Sequence, residues 1–100
     1  MLASAWVYIL TNHPRHTTLY TGSTIDLPTR VWEHLTRQKP KSFTDRYNVT
    51  KLVYYELFDY INDVVKREWF IKGKSRKWKE DLINKLNPEW RDLTEEIRRC

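Results

Sequence analysis

Two short runs of β-branched and aromatic residues near the amino terminus place the strongest constraint on the fold of this chain. The first run is Trp6–Leu10, and the turn-like sequence Asn12-His13-Pro14 follows it closely. The second run is Thr17–Thr21, and it ends at Gly22. Because the connection between them is short, the two runs are predicted to pair as an antiparallel hairpin.

The rest of the chain adds helices and a third strand. Asp26 can cap a helix in which Leu27, Val31 and Leu35 recur every four residues, which predicts that these three side chains face inward. A long loop is expected over residues 36–50, followed by a third strand, Leu52–Phe58. A second helix is predicted from apolar residues at amphipathic spacing: Ile61, Val64, Val65 and Trp69.

A third helix is predicted to begin at Ser75 and to stop before Asn87-Pro88, while Gly73 ends the second. The order of elements predicts an α+β fold in which a small three-stranded antiparallel or mixed sheet is flanked by helices, as β-β-α-β-α-α. One hundred residues suit one domain, so residues 1–100 are interpreted as a single unit.

Charge and cysteine content narrow the functional classes. Eighteen Lys and Arg residues against 13 Asp and Glu residues give a net charge of +5, which favours a polyanionic partner. The lone cysteine, Cys100, excludes a disulfide framework and fits a reducing cytosol, so a cytoplasmic location is expected. No run approaches the ~20 apolar residues of a membrane helix, so no membrane partner is expected.

The positive charge is concentrated in residues 66–79, which hold seven basic residues and one acidic residue. The run is either a solvated helix face or a surface that follows nucleic-acid phosphates, with Trp69 and Trp78 beside it. The one acid, Glu68, falls on the predicted apolar stripe, where a lone carboxylate is costly unless a cation meets it. It is interpreted either as half of an ion pair with Lys72 or as a carboxylate facing a functional groove.

For the other candidate residues, spacing alone does not distinguish a functional role from an ordinary structural one. Arg30 and His34 lie one turn apart and project from one helix face, as surface residues often do. Tyr8 and Tyr20 lie on adjacent strands and could share a face, as packed sheet tyrosines also do. The sequence contains no Gly-rich phosphate loop, no His-x-x-x-His zinc pair and no Gly-x-Ser-x-Gly elbow, and no organic cofactor is expected.

Taken in order, these residues resemble the GIY-YIG nuclease superfamily, in particular its small stand-alone members, and are similar to the GIY-YIG domain of the excision-repair nuclease subunit. The resemblance covers about residues 5–93. It is carried by separate elements in chain order: Trp6-Val7-Tyr8, Tyr20-Thr21-Gly22, the helix with Arg30 and His34, Phe43–Val49, Leu52–Glu56, Glu68 and Asn87-Pro88. Ser23 departs from the pattern, because some family nucleases place a basic residue there.

The resemblance implies a metal-dependent DNA endonuclease that hydrolyses phosphodiester bonds, with structure specificity and a link to DNA repair or processing expected. Glu68 would hold one Mg²⁺ or Mn²⁺ ion, and Arg30 would grip the phosphate. The implied catalytic residues are Tyr8, Tyr20, Arg30, His34 and Glu68. Of the tyrosines, Tyr8 is slightly preferred as the base, because the metal and Arg30 would favour its phenolate.

Contacts to DNA are expected from a wider set of residues: Gly22, Arg46, Lys72, Lys74, Arg76, Lys77 and Asn87. Gly22 would let the backbone approach the substrate closely. Two alternatives remain open. One is a non-catalytic nucleic-acid-binding module with the same fold, and the other is a subunit whose basic face meets an acidic protein.

Overall fold

A computed structural model describes residues 4–36 and 47–98, in which helices cover both faces of a three-stranded sheet. The strands are β1 (Ala5–Asn12), β2 (Leu19–Thr24) and β3 (Val49–Phe58). The helices in these ranges are α1 (Leu27–Leu35), α2 (Ile61–Lys72), α3 (Arg76–Leu86) and α4 (Thr94–Ile97). None of them has the length and apolar character required to cross a membrane.

The strand order is β2-β1-β3, and both pairs are antiparallel, which confirms the predicted α+β class. The first strand is therefore central, and β2 is an edge strand of this sheet. Tyr8 in β1 lies opposite Gly22 in β2 and Tyr55 in β3. Because side chains alternate between the two faces of a strand, this register decides which residues meet α1 and which meet α2.

The core consists of two apolar layers, one on each face of the sheet. One layer joins β1 to α2 and α3 through Val7, Ile9, Val64, Ile71 and Ile83. The other joins β1 to α1 and α4 through Tyr8, Leu10, Leu27, Val31 and Ile97. Burial of each such aliphatic side chain stabilises the fold by about 1.5–3 kcal/mol, so both layers fix the helices against the sheet.

Helix α1 begins as the sequence predicts, because the Asp26 carboxylate accepts a hydrogen bond from the Thr29 amide at 3.3 Å. Leu27 and Val31 are buried as expected, whereas Leu35 is exposed. Leu35 is the last residue of the helix and lies beyond the layer that its two predecessors form. The prediction that all three face inward is therefore wrong for Leu35.

Helix α2 has the predicted position and ends before Gly73, but Val64 alone of its four predicted core residues is buried. Val64 and Ile71, two turns apart, are its buried residues. Ile61, Val65 and Trp69 were predicted to be core residues, yet all three are exposed. Because an α-helix has 3.6 residues per turn, residues spaced four apart gradually move around its axis. The line of Val64 and Ile71 and the line of Ile61, Val65 and Trp69 therefore cannot both face the sheet.

Helix α3 is capped by Ser75, whose hydroxyl accepts a hydrogen bond from the Trp78 amide at 3.2 Å. It ends at Leu86, before the predicted Asn87-Pro88 stop. Strand β3 begins three residues before the predicted start, at Val49. The short helix α4 was not predicted, because a single turn contains too few residues to show a periodicity.

Candidate active site at the edge of the sheet

Three of the predicted catalytic residues meet on the face of the sheet that α1 covers. The hydroxyl of Tyr8 lies 3.3 Å from Nε2 of His34, at hydrogen-bonding distance. The His34 ring contacts Tyr20 edge to face, with 5.7 Å between the ring centroids. The two tyrosine rings are 6.3 Å apart. The hairpin therefore supplies both phenols, and the last turn of α1 supplies the imidazole between them.

Gly22 provides the space that the Tyr8 phenol occupies. A Cβ atom on Gly22 would lie 2.6 Å from the Tyr8 hydroxyl oxygen and 2.7 Å from Cζ. Gly22 is also buried. The gap left by its missing side chain is thus taken by Tyr8 rather than by a substrate, which differs from the role expected from the sequence.

Glu68 reaches β2 from α2, on the opposite face of the sheet. The Ser23 hydroxyl donates a short hydrogen bond to one of its carboxylate oxygens, and the Lys72 ammonium lies 2.5 Å from the other. The ion-pair interpretation of Glu68 is therefore confirmed. Its side chain keeps 19% of its surface exposed, so the pair is still accessible to solvent.

The two halves of the site meet at the edge strand β2. Tyr20 and Gly22 point to the α1 face, whereas Ser23 lies next to Gly22 and points to the α2 face. Arg30 and Glu68 both act electrostatically on the Tyr8 phenol, so charges from both helices converge on it. The sequence predicted the members of this constellation, and the strand edge brings them together.

The electrostatic environment favours different protonation states for the two halves. Burial raises the pKa of Tyr8 above its ordinary value, Tyr20 acts in the same direction, and Arg30 opposes them without offsetting them. Burial also raises the pKa of Glu68, but hydrogen bonds from Lys72 and Ser23 outweigh it and hold that pKa below its ordinary value. In the free protein Glu68 is therefore ionised and Tyr8 is neutral, which disfavours Tyr8 as the base.

Arg30 makes a long, partly exposed ion pair on α1. Its side chain is about one-third exposed, and its Nε lies 3.6 Å from Glu33 in the same helix. An ion pair of this length between partly exposed residues contributes little to stability, so it can yield to a stronger ligand. A phosphate can accept two hydrogen bonds from the same guanidinium, which makes it such a ligand.

Within residues 4–36 and 47–98, no three His, Cys, Asp or Glu side chains come together in a way that could hold a metal ion. A cation at this site would have to be bound by one carboxylate. Glu68 fits that requirement, because it is ionised, partly exposed and offers hard oxygen donors. The ion would have to displace Lys72, whose side chain is 52% exposed and free to swing into solvent.

The basic side chains of residues 66–79 are less available to bind phosphates than the composition of the run indicates. Four of its cations pair with acidic residues, and these pairs are Arg67 with Glu56, Lys72 with Glu68, Arg76 with Glu80 and Lys77 with Asp81. Lys74 lies over the Phe70 ring, 4.3 Å from its centroid. The predicted contacts of Lys72, Lys74 and Lys77 with DNA therefore require these local interactions to be exchanged for phosphates.

Two residues predicted to contact DNA make hydrogen bonds that hold the fold together. Asn87 is 2% exposed, and its side chain bonds to the carbonyls of Val53 and Arg91 and to the Arg91 amide. Arg76 donates hydrogen bonds to the backbone carbonyls of His16 and Thr17, so it ties α3 to the hairpin turn. Asn87 has no free group for a substrate, and the prediction for it is wrong.

Arg46 lies outside the described residues. Two other positions gain significance only from the structure. Ser23 holds Glu68, although the sequence marked it merely as a departure from the usual pattern. Trp69 follows Glu68 and is exposed, although its spacing indicated a core residue. No pattern in the sequence predicts the Ser23–Glu68 hydrogen bond or the exposure of Trp69, because both depend on how α2 is rotated against the sheet.

Comparison with known proteins finds consistent similarities. A family profile described as the GIY-YIG catalytic domain matches residues 4–81. A UPF0213 protein of Syntrophus aciditrophicus is 39% identical over 88 residues, which cover 88% of this chain and 98% of that protein. A UPF0213 protein of Natronomonas pharaonis is 37% identical over 83 residues, which cover 83% and 94%. The solution NMR structure of the UPF0213 protein BH0048 from Bacillus halodurans is similar with a TM-score of 0.57 and 26% identity, covering 92% of this chain and 95% of that one.

Proposed function

This chain belongs to the GIY-YIG catalytic domain family, and from that premise we propose that it is a nuclease that hydrolyses phosphodiester bonds in DNA with one divalent cation. One observation carries the proposal. The Tyr8–His34–Tyr20 cluster on one face of β2 and the ionised Glu68 on the other converge at the same strand edge. A scissile phosphate lying along this edge would meet both sets of groups.

In this proposal Glu68 would hold the cation, either Mg²⁺ or Mn²⁺, through its hard carboxylate oxygens. The bound cation supplies charge stabilisation for the leaving oxygen. Ser23 keeps the carboxylate directed toward the strand edge, because its hydroxyl holds one oxygen while the other faces Lys72. Lys72, whose side chain is 52% exposed, would move toward solvent to make room for the cation, because the two positive charges repel each other at the carboxylate.

Arg30 binds the scissile phosphate, and the phenol cluster handles the proton of the attacking water. Tyr20 is the proposed proton acceptor, because Tyr8 is 2% exposed and burial raises its pKa. Tyr8 orients His34 through their 3.3 Å contact, and His34 packs in turn against Tyr20. This assignment reverses the slight preference for Tyr8 that the sequence supported.

Lys74 and Lys77 are proposed to bind flanking phosphates. The Lys77–Asp81 pair is exposed and weak, and Lys74 lies over the exposed Phe70 ring, so DNA can replace both interactions. The Lys74→Ala/Lys77→Ala double variant should flatten the log–log salt dependence of duplex binding by up to about two units. Lys85→Ala, an exposed residue near the end of α3, is the matched control and should leave the slope unchanged.

A non-catalytic nucleic-acid-binding module is the second candidate. One observation favours it, because both oxygens of Glu68 already have partners in Ser23 and Lys72, an arrangement that is complete without a metal. In that case Glu68 serves stability alone, and its replacement would alter the melting temperature without affecting any reaction.

A cleavage assay separates the two candidates. The purified protein would be incubated with Mg²⁺ or Mn²⁺ and with linear, nicked, flapped and branched DNA. Glu68→Gln is the matched control, because its amide retains the Ser23 hydrogen bond and the shape of the side chain while removing the charge. We expect product with the wild type and none with the variant. Binding without product on every DNA would reject the nuclease proposal, and equal cleavage by both proteins would reject the role of Glu68 in it.

A further inference from the structure

Trp69 is the most exposed of the large apolar side chains in the described residues, with 76% of its surface accessible. Three other tryptophans have evident packing roles. Trp6 packs on the α1-side layer, Trp78 contacts Phe70 edge to face, and Trp90 stacks on His16. Trp69 has no ring or cation partner within the part of the chain that is described. An indole this exposed adds little buried surface to the fold, and its ring is available to a ligand.

The position of Trp69 links it to the candidate active site. It follows Glu68 directly on α2, and Lys66 and Lys72 lie three residues before and after it. Residues three or four apart on a helix are neighbours, with about 5–6 Å between their Cβ atoms. Trp69 therefore lies between Lys66 and Lys72 on the helix surface, and Lys72 also pairs with Glu68, the residue before Trp69.

Charge and size together select the occupant of this surface. Ile61, Val65 and Trp69 form one exposed line along α2. Three side chains provide far less than the ~800 Å² that each partner contributes to a stable protein interface, so a second copy of the chain is a poor match. Flat aromatic surface between cations is the chemistry that binds a nucleobase with its phosphates.

We propose that Trp69 is a stacking platform for an unpaired base of the DNA substrate, next to the phosphodiester at Glu68. This inference rests on the proposed function and extends it to a substrate class. A base inside a duplex is already stacked on both sides, whereas a base in a single strand, flap or gap offers a free face. The protein therefore favours DNA with unpaired nucleotides at the strand edge.

The test uses DNA binding in EDTA, where no cleavage can occur. Single-stranded, flapped and fully paired oligonucleotides would carry 2-aminopurine, whose fluorescence falls when it stacks. Trp69→Ala should bind the single-stranded and flapped DNA about 5- to 100-fold more weakly and lose the fluorescence change, because each stacked base contributes in this range. Its affinity for fully paired DNA should not change, and Trp69→Phe should retain most of the binding to unpaired bases.

Trp32→Ala is the matched control, because Trp32 is also an exposed tryptophan but lies on α1. It should behave as the wild type, and thermal melts should be the same for all variants since Trp69 contributes little to packing. Equal weakening of single-stranded and paired DNA by Trp69→Ala would overturn the proposal, as would unchanged binding. A wild-type dimer that Trp69→Ala converts to a monomer would assign the surface to self-association. Failure of the wild type to bind any DNA would reject the proposed function as well.

Discussion

The two hairpin tyrosines share one face of the sheet but differ in their access to solvent. Tyr8 is 2% exposed, whereas Tyr20 is only partly buried. If Tyr20 accepts the proton of water, Tyr20→Phe should lower the single-turnover rate by roughly 10²–10⁴, as is usual when a general base is lost. Tyr8→Phe and His34→Gln should cost less, because they disturb only the orientation of the cluster.

Cleavage rates across pH 5.5 to 9.5 would check this assignment. Phenylalanine preserves ring packing at both positions, so thermal melts of the two tyrosine variants serve as the control for folding. A near-normal rate for Tyr20→Phe together with an inactive Tyr8→Phe would restore Tyr8 as the base. Inactivity of His34→Gln alone would assign the proton to the imidazole.

Gly22 and Gly73 form a natural pair for a second test at this scale. In Gly22→Ala the new Cβ would meet the Tyr8 hydroxyl at 2.6 Å, so the phenol must move and we expect a loss of stability of about 1–3 kcal/mol. The cleavage rate should fall as well, because Tyr8 would lose its position beside His34. In Gly73→Ala the nearest atom is the Trp69 carbonyl oxygen at 3.6 Å, an ordinary contact.

Urea unfolding and cleavage rates of both glycine variants would be measured in parallel. Gly73→Ala should match or slightly exceed the wild type in stability, since alanine restricts the unfolded chain at no steric cost here. Normal activity of Gly22→Ala would mean that the position of the Tyr8 phenol is irrelevant to the reaction.

At the scale of elements, a single side chain connects α3 to the hairpin turn. Arg76 donates to the His16 and Thr17 carbonyls and also pairs with Glu80. Arg76→Ala should lower the free energy of unfolding by about 1.5 kcal/mol, the lower end for hydrogen bonds to a charged group, because the side chain is partly exposed.

Chemical denaturation of Arg76→Ala and Lys77→Ala would test this role. Lys77 is 81% exposed and pairs only with Asp81 in the next turn, so its replacement should leave stability almost unchanged. Equal stability of the two variants would show that the contact with the hairpin turn contributes nothing.

The elements that the sequence predicts best are those with local signals. The short hairpin connection, the Asp26 cap of α1 and the Ser75 cap of α3 each depend on a few neighbouring residues, and all three are confirmed. The buried line of α2 could not be predicted in this way. Val64 and Ile71 compete with Ile61, Val65 and Trp69 for the sheet, and the choice depends on packing against β1, far away in sequence.

The same distinction explains the outcome at the candidate site. The Glu68–Lys72 pair is one helical turn and was predicted as an open alternative, whereas the Ser23–Glu68 hydrogen bond joins two elements and was not. Asn87, which belongs to the Asn87-Pro88 element of the family resemblance, was expected to contact DNA. The structure buries it and satisfies it with backbone groups of Val53 and Arg91, which composition cannot reveal.

At the scale of the whole molecule, each face of the sheet buries one ionisable phenol, Tyr8 on the α1 side and Tyr54 in the α2-side layer. Burial raises the pKa of both above the ordinary value, and for Tyr54 the hydrogen bond to Glu56 acts in the same direction. Below about pH 10 both phenols are protonated in the folded and unfolded states, so their stabilising effect is complete. Above that pH the unfolded chain releases protons that the folded chain retains, and stability falls.

Urea unfolding between pH 7 and pH 11 should therefore show a plateau followed by a decline above pH 10. Each phenol contributes up to about 1.4 kcal/mol per pH unit to that decline. Tyr54→Phe should lower stability at pH 7, because it removes the hydrogen bond to Glu56, and should reduce the slope at high pH. A slope identical to that of the wild type would show that Tyr54 titrates normally.

The central position of β1 also sets an order in which the chain can assemble. Its partner β2 follows after a short turn, so the hairpin and α1 require only local ordering, and they bring Tyr8, Tyr20 and His34 together. The pairing of β1 with β3 joins residues as distant as Ala5 and Phe58, which closes a long loop and is slower. Helix α2, with Glu68, follows β3 in the chain and is therefore synthesised after it. A chain still emerging from the ribosome would thus carry the phenols and the imidazole before the carboxylate reaches them, and the constellation would be complete only in the finished fold.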